Sequence, residues 1–391
     1  MATSHEIDVG ELLAKVDSGE PLMLHDVRND DEHEKWKIEG RREFKTVHIP
    51  YFDFIEDEQG AVERLPKAHG EVIAVCAKGG SSEMVAEILR GLGVPTRNLI
   101  GGMIAYGEYL DPVKVPLQQA EEALFEIWQF NRRGKGCLSY AIVSAGEAVV
   151  VDSSRAVEIY ESFLARSGAR LVYVLDTHVH ADHISGGPAL AARLGASYFV
   201  SAGQGLDLEQ RTSSLKDGDQ VRFGKTSIRV IAAPGHTPGS VCYLVADRYL
   251  LSGDTLFKKS VGRPDLGGHV IEWSQDLFHT LNEPIARLDA STLVLPAHYA
   301  DISEIGSDGV VSAQLGDLRR DLPELRIADV AAFTEAMKRA VRTPPPEYAE
   351  IIDVNLGKTK ADPDRAVEWE LGKNQCAASV SHGVTKEFIS I

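Results

Sequence analysis

The sequence predicts an α/β protein of two successive domains followed by a helical extension. Three observations lead there. The 391-residue chain is long enough to bury more than one hydrophobic core. Its first part alternates short apolar runs with helical stretches. Beyond that part strands outnumber helices, and each cluster of coordinating side chains directly follows a strand. Ligands in α/β architectures gather outside strand ends.

The elements follow in order. "LMLHDV" (22–27) and "VIAVCA" (72–77) look like buried parallel strands. "SEMVAEILRGLG" (82–93) predicts a helix closed by Gly93. "NLIGGM" (98–103) predicts one more strand, so residues 1–112 make the first domain. "DPVKVPLQQAEE" (111–122) holds two prolines and a polar run, and residues 113–122 are expected to be a linker. The second domain spans 123–330. Its "SYAIVSAGEAVVVDSS" predicts a hairpin turned at "AGE", followed by a helix over Val157–Arg166 and the strand "LVYVLD". "SYFVS", "SIRVIAA", "VCYLVADRYLLSG" and "TLVLPAH" predict further strands. Residues 331–391 turn helical, with one helix starting after the prolines of "TPPPEYAEIIDVNLG", and are expected to pack on the second domain.

Composition excludes some partners. The formal net charge of −17 argues against nucleic acid and anionic membrane surfaces. No apolar run reaches the length of a bilayer span. The opening "MATSHEIDVG" lacks a basic region followed by an apolar one, so a cytoplasmic protein is expected. The cysteines at 76, 137, 242 and 376 form no CxxC pair and are expected to be reduced, Cys376 as an ordinary free thiol. A homodimer is the commonest assembly for such a chain.

The densest chemistry lies in "THVHADHISGG", where His178, His180, Asp182 and His183 fall within six positions. Imidazoles and carboxylates suit Zn, Fe, Mn or Ni. Desolvating that many ionisable groups without a metal or partners is costly. Three more strand ends add His236 in "AAPGHTPGSVCYL", Asp254 in "LLSGDTLF" and His298 in "LVLPAHYAD".

In this order the set resembles the metallo-β-lactamase superfamily. The resemblance implies an αβ/βα sandwich with a metal site at one edge. "THVHADHISGG", "PGHTPGSV" and "SGDTLF…VGRPDL" look like the persulfide dioxygenases of that superfamily. It implies one Fe(II) per chain held by His178, His236 and Asp254, with open positions for a thiol persulfide and O2. His180, Asp182, His183 and His298 would then orient ligands and waters. In the alternative, Asp182, His183 and His298 hold a second metal. The enzyme would then be a two-zinc hydrolase of thioesters, as in glyoxalase II. Arg263 has two readings as well: a fork for a carboxylate of a glutathione-like substrate, or an internal pair with Asp265. Tyr299 is a candidate substrate contact.

The first domain carries its own chemical loop. In "VCAKGGSSEMV", Cys76 ends a strand and meets a glycine-rich turn and a helix start. That setting favours a thiolate nucleophile and anion binding. "LMLHDVRNDDEHEKW", "VHIPYFDF", "VCAKGGSS" and "LIGGMIAY" resemble the rhodanese family. The resemblance implies a parallel-sheet domain in which Cys76 carries a sulfane sulfur. The loop Ala77, Lys78, Gly79, Gly80, Ser81 and Ser82 would cradle it. Lys78 is the loop's only cation, and a serine stands where many rhodaneses carry arginine. The two domains together imply persulfide oxidation to sulfite and thiol, coupled to sulfur transfer involving sulfite or thiosulfate.

Overall fold

The computed structural model describes residues 5–66, 70–201, 212–213, 215–341 and 343–378. Residues 379–391 of the expected extension lie outside the described residues. The chain divides into two compact units. One comprises residues 1–111, 132–135 and 371–373, and the other comprises the remainder.

In the first unit five strands form one parallel sheet, ordered Glu6–Ile7, Thr96–Leu99, Glu71–Val75, Leu22–Asp26, Lys45–His48. The two strands expected from "LMLHDV" and "VIAVCA" are its centre, and both are buried nearly throughout. Helices cover both faces. Val9–Ser18 packs Leu12, Leu13 and Val16 against one side. Gly80–Gly91 packs Val85 and Leu89 against the other. The stretch "NLIGGM" is strand only to Leu99. Gly101 and Gly102 then adopt left-handed backbone, with φ of 68° and 57°, and open the helix Gly102–Glu108. The glycine is required at 102, because a Cβ there would lie 2.2 Å from the carbonyl oxygen of Cys76.

Asp26 and Arg28 of the early "DVR" segment hold each other. The guanidinium NH2 lies 2.6 Å from Asp26 Oδ2, and both side chains are buried. This pair is structural.

The second unit holds two facing sheets. The first has seven strands, ordered Thr212–Ser213, Ser197–Phe199, Arg170–Leu175, Glu147–Val151, Cys137–Ser144, Glu126–Arg132, Asp111–Lys114. The second has six, ordered Gln220–Phe223, Thr226–Ala232, Val241–Val245, Tyr249–Gly253, Leu293–Pro296, Ala313–Gln314. Ile142, Val149 and Val151 from one sheet meet Val230, Tyr243 and Leu251 from the other in one core. Alternation along Val241–Val245 shows why the fold is layered. Val241, Tyr243 and Val245 face that core, while Cys242 and Leu244 face outward into a second one. There the helices Val270–Asn282 and Val330–Ala340 cover the sheet with Leu277, Leu281, Phe333 and Met337. Full burial of each such side chain contributes roughly 2 kcal/mol. Among the described residues no helix is long and apolar enough to cross a membrane.

Residues 113–122 are not a free connector. Val113 and Lys114 are in a strand, Val115 is fully buried, and the Val115 N–H donates to the Ile127 carbonyl at 2.8 Å. The Gln118 N–H donates to the Tyr249 hydroxyl at 3.0 Å. The prolines and polar residues here flank a buried valine and end an edge strand, a role proline tolerates. The helical extension belongs to the second unit up to Glu370, whereas residues 371–373 group with the first.

Candidate metal centre and sulfur loop

His178, His236 and Asp254 come together at strand ends of the second unit. Each offers one ligand atom, and the three atoms lie within 4.8 Å of one another. Asp254 Oδ2 lies 3.7 Å from His178 Nε2 and 3.4 Å from His236 Nε2. These spacings are longer than hydrogen bonds. All three side chains are buried, and His178 Nε2 and Asp254 Oδ2 have no hydrogen-bond partner. Buried polar atoms are rarely orphaned, so an orphaned nitrogen and oxygen aimed at one point fit a metal ion.

Surrounding groups set the tautomers. His236 Nδ1 lies 2.9 Å from the Arg263 carbonyl oxygen, which can only accept, so Nδ1 carries the proton and Nε2 the lone pair. His178 Nδ1 lies 3.0 Å from Thr177 Oγ1, which lies 3.0 Å from either carboxylate oxygen of Asp152. The hydroxyl donates to the carboxylate and accepts from the imidazole. His178 Nε2 is thereby left as the coordinating atom. Asp152 sits in left-handed backbone, φ 54°, and also accepts the Thr177 N–H at 2.7 Å. Burial pushes the imidazoles of His178 and His236 below their ordinary values, which keeps them neutral and able to ligate. Gly262 lets the following loop close over the site, since a Cβ there would lie 1.8 Å from the Asp254 carbonyl oxygen.

The remaining predicted ligands are engaged with one another. His298 Nδ1 donates to Asp254 Oδ1 at 2.6 Å, and its Nε2 lies 3.0 Å from Asp182 Oδ2. Asp182 Oδ1 accepts from His183 Nδ1 at 3.0 Å, and Asp182 Oδ2 accepts from the Cys137 thiol at 3.1 Å. Burial opposes a charge on His183, but the adjacent Asp182 raises its imidazole to about 10. Burial likewise opposes a charge on His298, yet Asp182 and Asp254 hold it well above its ordinary value. Burial would raise Asp254, but His298 and His178 pull its carboxyl well below the usual range. His180 turns away, its Nε2 at 3.2 Å from Asp152 Oδ1. Asp182, His183, His298 and Cys137 still have ligand atoms within 4.8 Å of one another, so this second set is compact enough for an ion.

Arg263 takes the internal alternative. Its Nε and NH2 donate to the two carboxylate oxygens of Asp265 at 2.8 and 2.6 Å, and the side chain is buried. A fork already closed on a carboxylate two residues away does not offer itself to a substrate. Tyr299 is also displaced from its expected role. It is buried in the core between the sheets, and its hydroxyl donates to Asn131 Oδ1 at 2.9 Å.

Several groups at the site carry no signal in the sequence. Cys137 and Asp152 arrive from the hairpin. Cys376 arrives from the tail, where its Sγ clusters with ligand atoms of Asp254 and His298. The tail strand Ala377–Ala378 pairs with Val261–Gly262, and the Arg263 N–H donates to the Cys376 carbonyl at 3.1 Å. The extension also grips the histidine loop. Asn355 Nδ2 lies 2.8 Å from the carbonyl oxygens of both His180 and His183, and Asn355 Oδ1 accepts from the Ser185 N–H at 2.9 Å. The buried Glu370 accepts the Ile184 N–H at 2.8 Å. Replacing Asn355 with alanine should therefore loosen the metal by about 10-fold, as loss of groups that orient ligands does. Chelator titration of the intact variant, with circular dichroism as the folding control, measures it. Unchanged metal affinity would show that the clamp has no such role.

In the first unit Cys76 is buried at the end of Glu71–Val75 and faces the start of Gly80–Gly91. The Gly79 N–H donates to Cys76 Sγ at 3.1 Å. The Ser82 hydroxyl lies 3.2 Å from Sγ and 2.7 Å from Asn98 Oδ1. Asn98 Nδ2 donates to the Gly79 carbonyl at 3.1 Å, which braces the turn. Met103 and Ile104 N–H groups donate to the carbonyls of Cys76 and Ala77 at 2.9 and 3.1 Å. Lys78 and Gly80 are exposed, and Ala77 and Ser81 half-buried, so the loop's outer side faces solvent.

Fold and site together define a protein with a parallel-sheet thiol domain and a two-sheet metal-binding domain. Residues 132–298 match the metallo-beta-lactamase superfamily and residues 8–108 match the rhodanese-like domain, so the chain carries one domain of each kind. Among its relatives is a hydroxyacylglutathione hydrolase of Acidiphilium cryptum, 36% identical over 165 residues, which are 42% of this chain and 65% of the relative. Another is the mitochondrial persulfide dioxygenase ETHE1 of Homo sapiens, 34% identical over 155 residues, 39% of this chain and 59% of the relative. The chain thus spans less than two thirds of either. The solved structure of ETHE1 from Myxococcus xanthus is 26% identical, with a TM-score of 0.53. The match covers 60% of this chain and 99% of that one.

Proposed function

We propose that this protein oxidises a low-molecular-weight thiol persulfide with O2 in its second domain and transfers sulfane sulfur through Cys76 in its first. The observation that carries this reading is the triad, which turns two unpartnered buried atoms toward one point. His178 Nε2 and Asp254 Oδ2 lack hydrogen-bond partners, whereas Asp182, His183 and Cys137 are hydrogen-bonded to one another; His298 is bonded to Asp254 through Nδ1, and its Nε2 makes no hydrogen bond but lies 3.0 Å from Asp182 Oδ2. The likeness to persulfide dioxygenases of this superfamily supports it.

His178, His236 and Asp254 would hold Fe(II), one per chain. A redox-active ion held by two imidazoles and one carboxylate keeps open positions and supplies the one-electron steps that O2 chemistry needs. The chain's own groups do the rest. Thr177 and the Arg263 carbonyl fix the two imidazoles with Nε2 inward. His298 fixes Asp254 through Oδ1 and leaves Oδ2 for the ion. The burial of all three ligands excludes bulk water from the reacting sulfur. The reaction balances as RSSH + O2 + H2O giving RSH, sulfite and two protons. In the first domain the Cys76 thiolate attacks the outer sulfur of a thiol persulfide, breaking its S–S bond, releasing the carrier as its thiolate and keeping the sulfur as a Cys76 persulfide, with the Gly79 N–H toward Cys76 Sγ. Sulfite then takes the outer sulfur, releasing thiosulfate and the Cys76 thiolate.

The relatives named as hydrolases favour a second reading, a two-zinc thioester hydrolase using the Asp182, His183 and His298 set. One experiment separates the two. Protein purified without added metal is assayed for metal content, persulfide-dependent O2 uptake and thioester cleavage. The first reading expects about one iron per chain, with sulfite formed as O2 is consumed. Two zincs with thioester cleavage and no O2 uptake would reverse the choice.

A further inference from the structure

We infer that the thiol carrier of the substrate is apolar, rather than a charged peptide such as glutathione. This rests on the persulfide reading above and narrows it. Beside the triad the second unit has a cavity of about 340 Å³. Its lining includes Val179, between His178 and His180, and Thr237, directly after His236. Leu266, Trp273, Ile352 of the helix Glu347–Asn355 and its cap Leu356 line it as well. Among the described residues no charged side chain lines it. The size suits a small organic group, and pockets of this kind choose ligands by apolar contact.

Glutathione carries two carboxylates and an ammonium. Burying them against leucine, isoleucine and tryptophan without partners is costly. The arginine placed by sequence to receive a carboxylate, Arg263, is closed on Asp265. A benzyl or alkyl group instead gains from every wall, with the indole of Trp273 as a flat contact surface. The helix Glu347–Asn355 thereby selects the substrate: Ile352 and the cap Leu356 line the cavity, while the neighbouring Asn355 holds the histidine loop.

The test compares benzyl persulfide with glutathione persulfide in O2 uptake by the full-length holoenzyme. In parallel, calorimetric binding compares the product thiols, phenylmethanethiol and glutathione. Each pair presents the same sulfur group, so the difference reports the carrier. The benzyl compound is expected to show a kcat/KM and an affinity each about 10-fold higher or more. Trp273→Ala should erase that preference and Trp273→Phe should retain it. Equal or tighter binding of glutathione, or no binding of phenylmethanethiol, overturns the inference. Failure of both persulfides to drive O2 uptake, with phenylmethanethiol still bound preferentially, sinks the reaction and leaves the apolar selectivity standing.

Discussion

Under the proposed function, replacing His236 with alanine is expected to abolish metal binding at the triad and to lower persulfide-dependent O2 uptake by on the order of a thousand-fold. The triad has only three protein ligands, and His236 contributes its one coordinating nitrogen to a point shared with His178 Nε2 and Asp254 Oδ2. Two remaining ligands of opposite character leave a poorly held ion in a buried site that must then desolvate a carboxylate without compensation. The informative contrast is Asp182→Asn. Asp182 receives hydrogen bonds from His183 and Cys137 and lies beside His298, so its loss disturbs the group that aims Asp254. One ion per chain should remain, held about 10-fold more weakly. Elemental analysis with O2-electrode rates on both variants decides. A drop from two ions to one in Asp182→Asn would show that the second set ligates a metal and that the site is not mononuclear.

Replacing Cys76 with serine abolishes sulfur transfer to sulfite, by about a thousand-fold or more, because a hydroxyl cannot carry a sulfane sulfur. The substitution is close in size and keeps the oxygen within reach of the Gly79 N–H and Ser82, which lie 3.1 and 3.2 Å from the native sulfur. The domain should therefore stay folded, and O2 uptake on added persulfide should stay within about twofold, since among the described residues the candidate metal ligands all lie in the second unit. Thiosulfate formation by the variant at the native rate would strip Cys76 of its role and leave the first domain as a non-catalytic module.

Much of this molecule is legible in its sequence, and the reason is local. Strands such as Glu71–Val75 and Val241–Val245 are covered on both faces, so they read as nearly unbroken apolar runs. The metal groups follow such runs directly, in "HVHADH", "PGHTPG" and "SGDTLF". The hairpin at Ala145–Gly146 and the helix after Cys76 are written in the same short-range terms. Where a group's place at a strand end depends on its immediate neighbours, the amino-acid order alone was enough to locate it.

The rest depended on contacts between distant residues. Asp152 reaches Thr177 across 25 positions, Cys137 reaches Asp182 across 45, and Asn355 reaches His180 across 175. No periodicity encodes such separations. Arg263 had two partners available in principle, and only the loop's folded path closed its fork on Asp265. Val115 sat in a proline-flanked polar run that resembled a linker, and only the sheet edge beside it made it core. So the sequence by itself determined which elements form and which side chains could bind a metal or a sulfur. The tertiary structure decided which of those side chains already had partners, because a buried polar atom left without one is defined only once everything around it is in place.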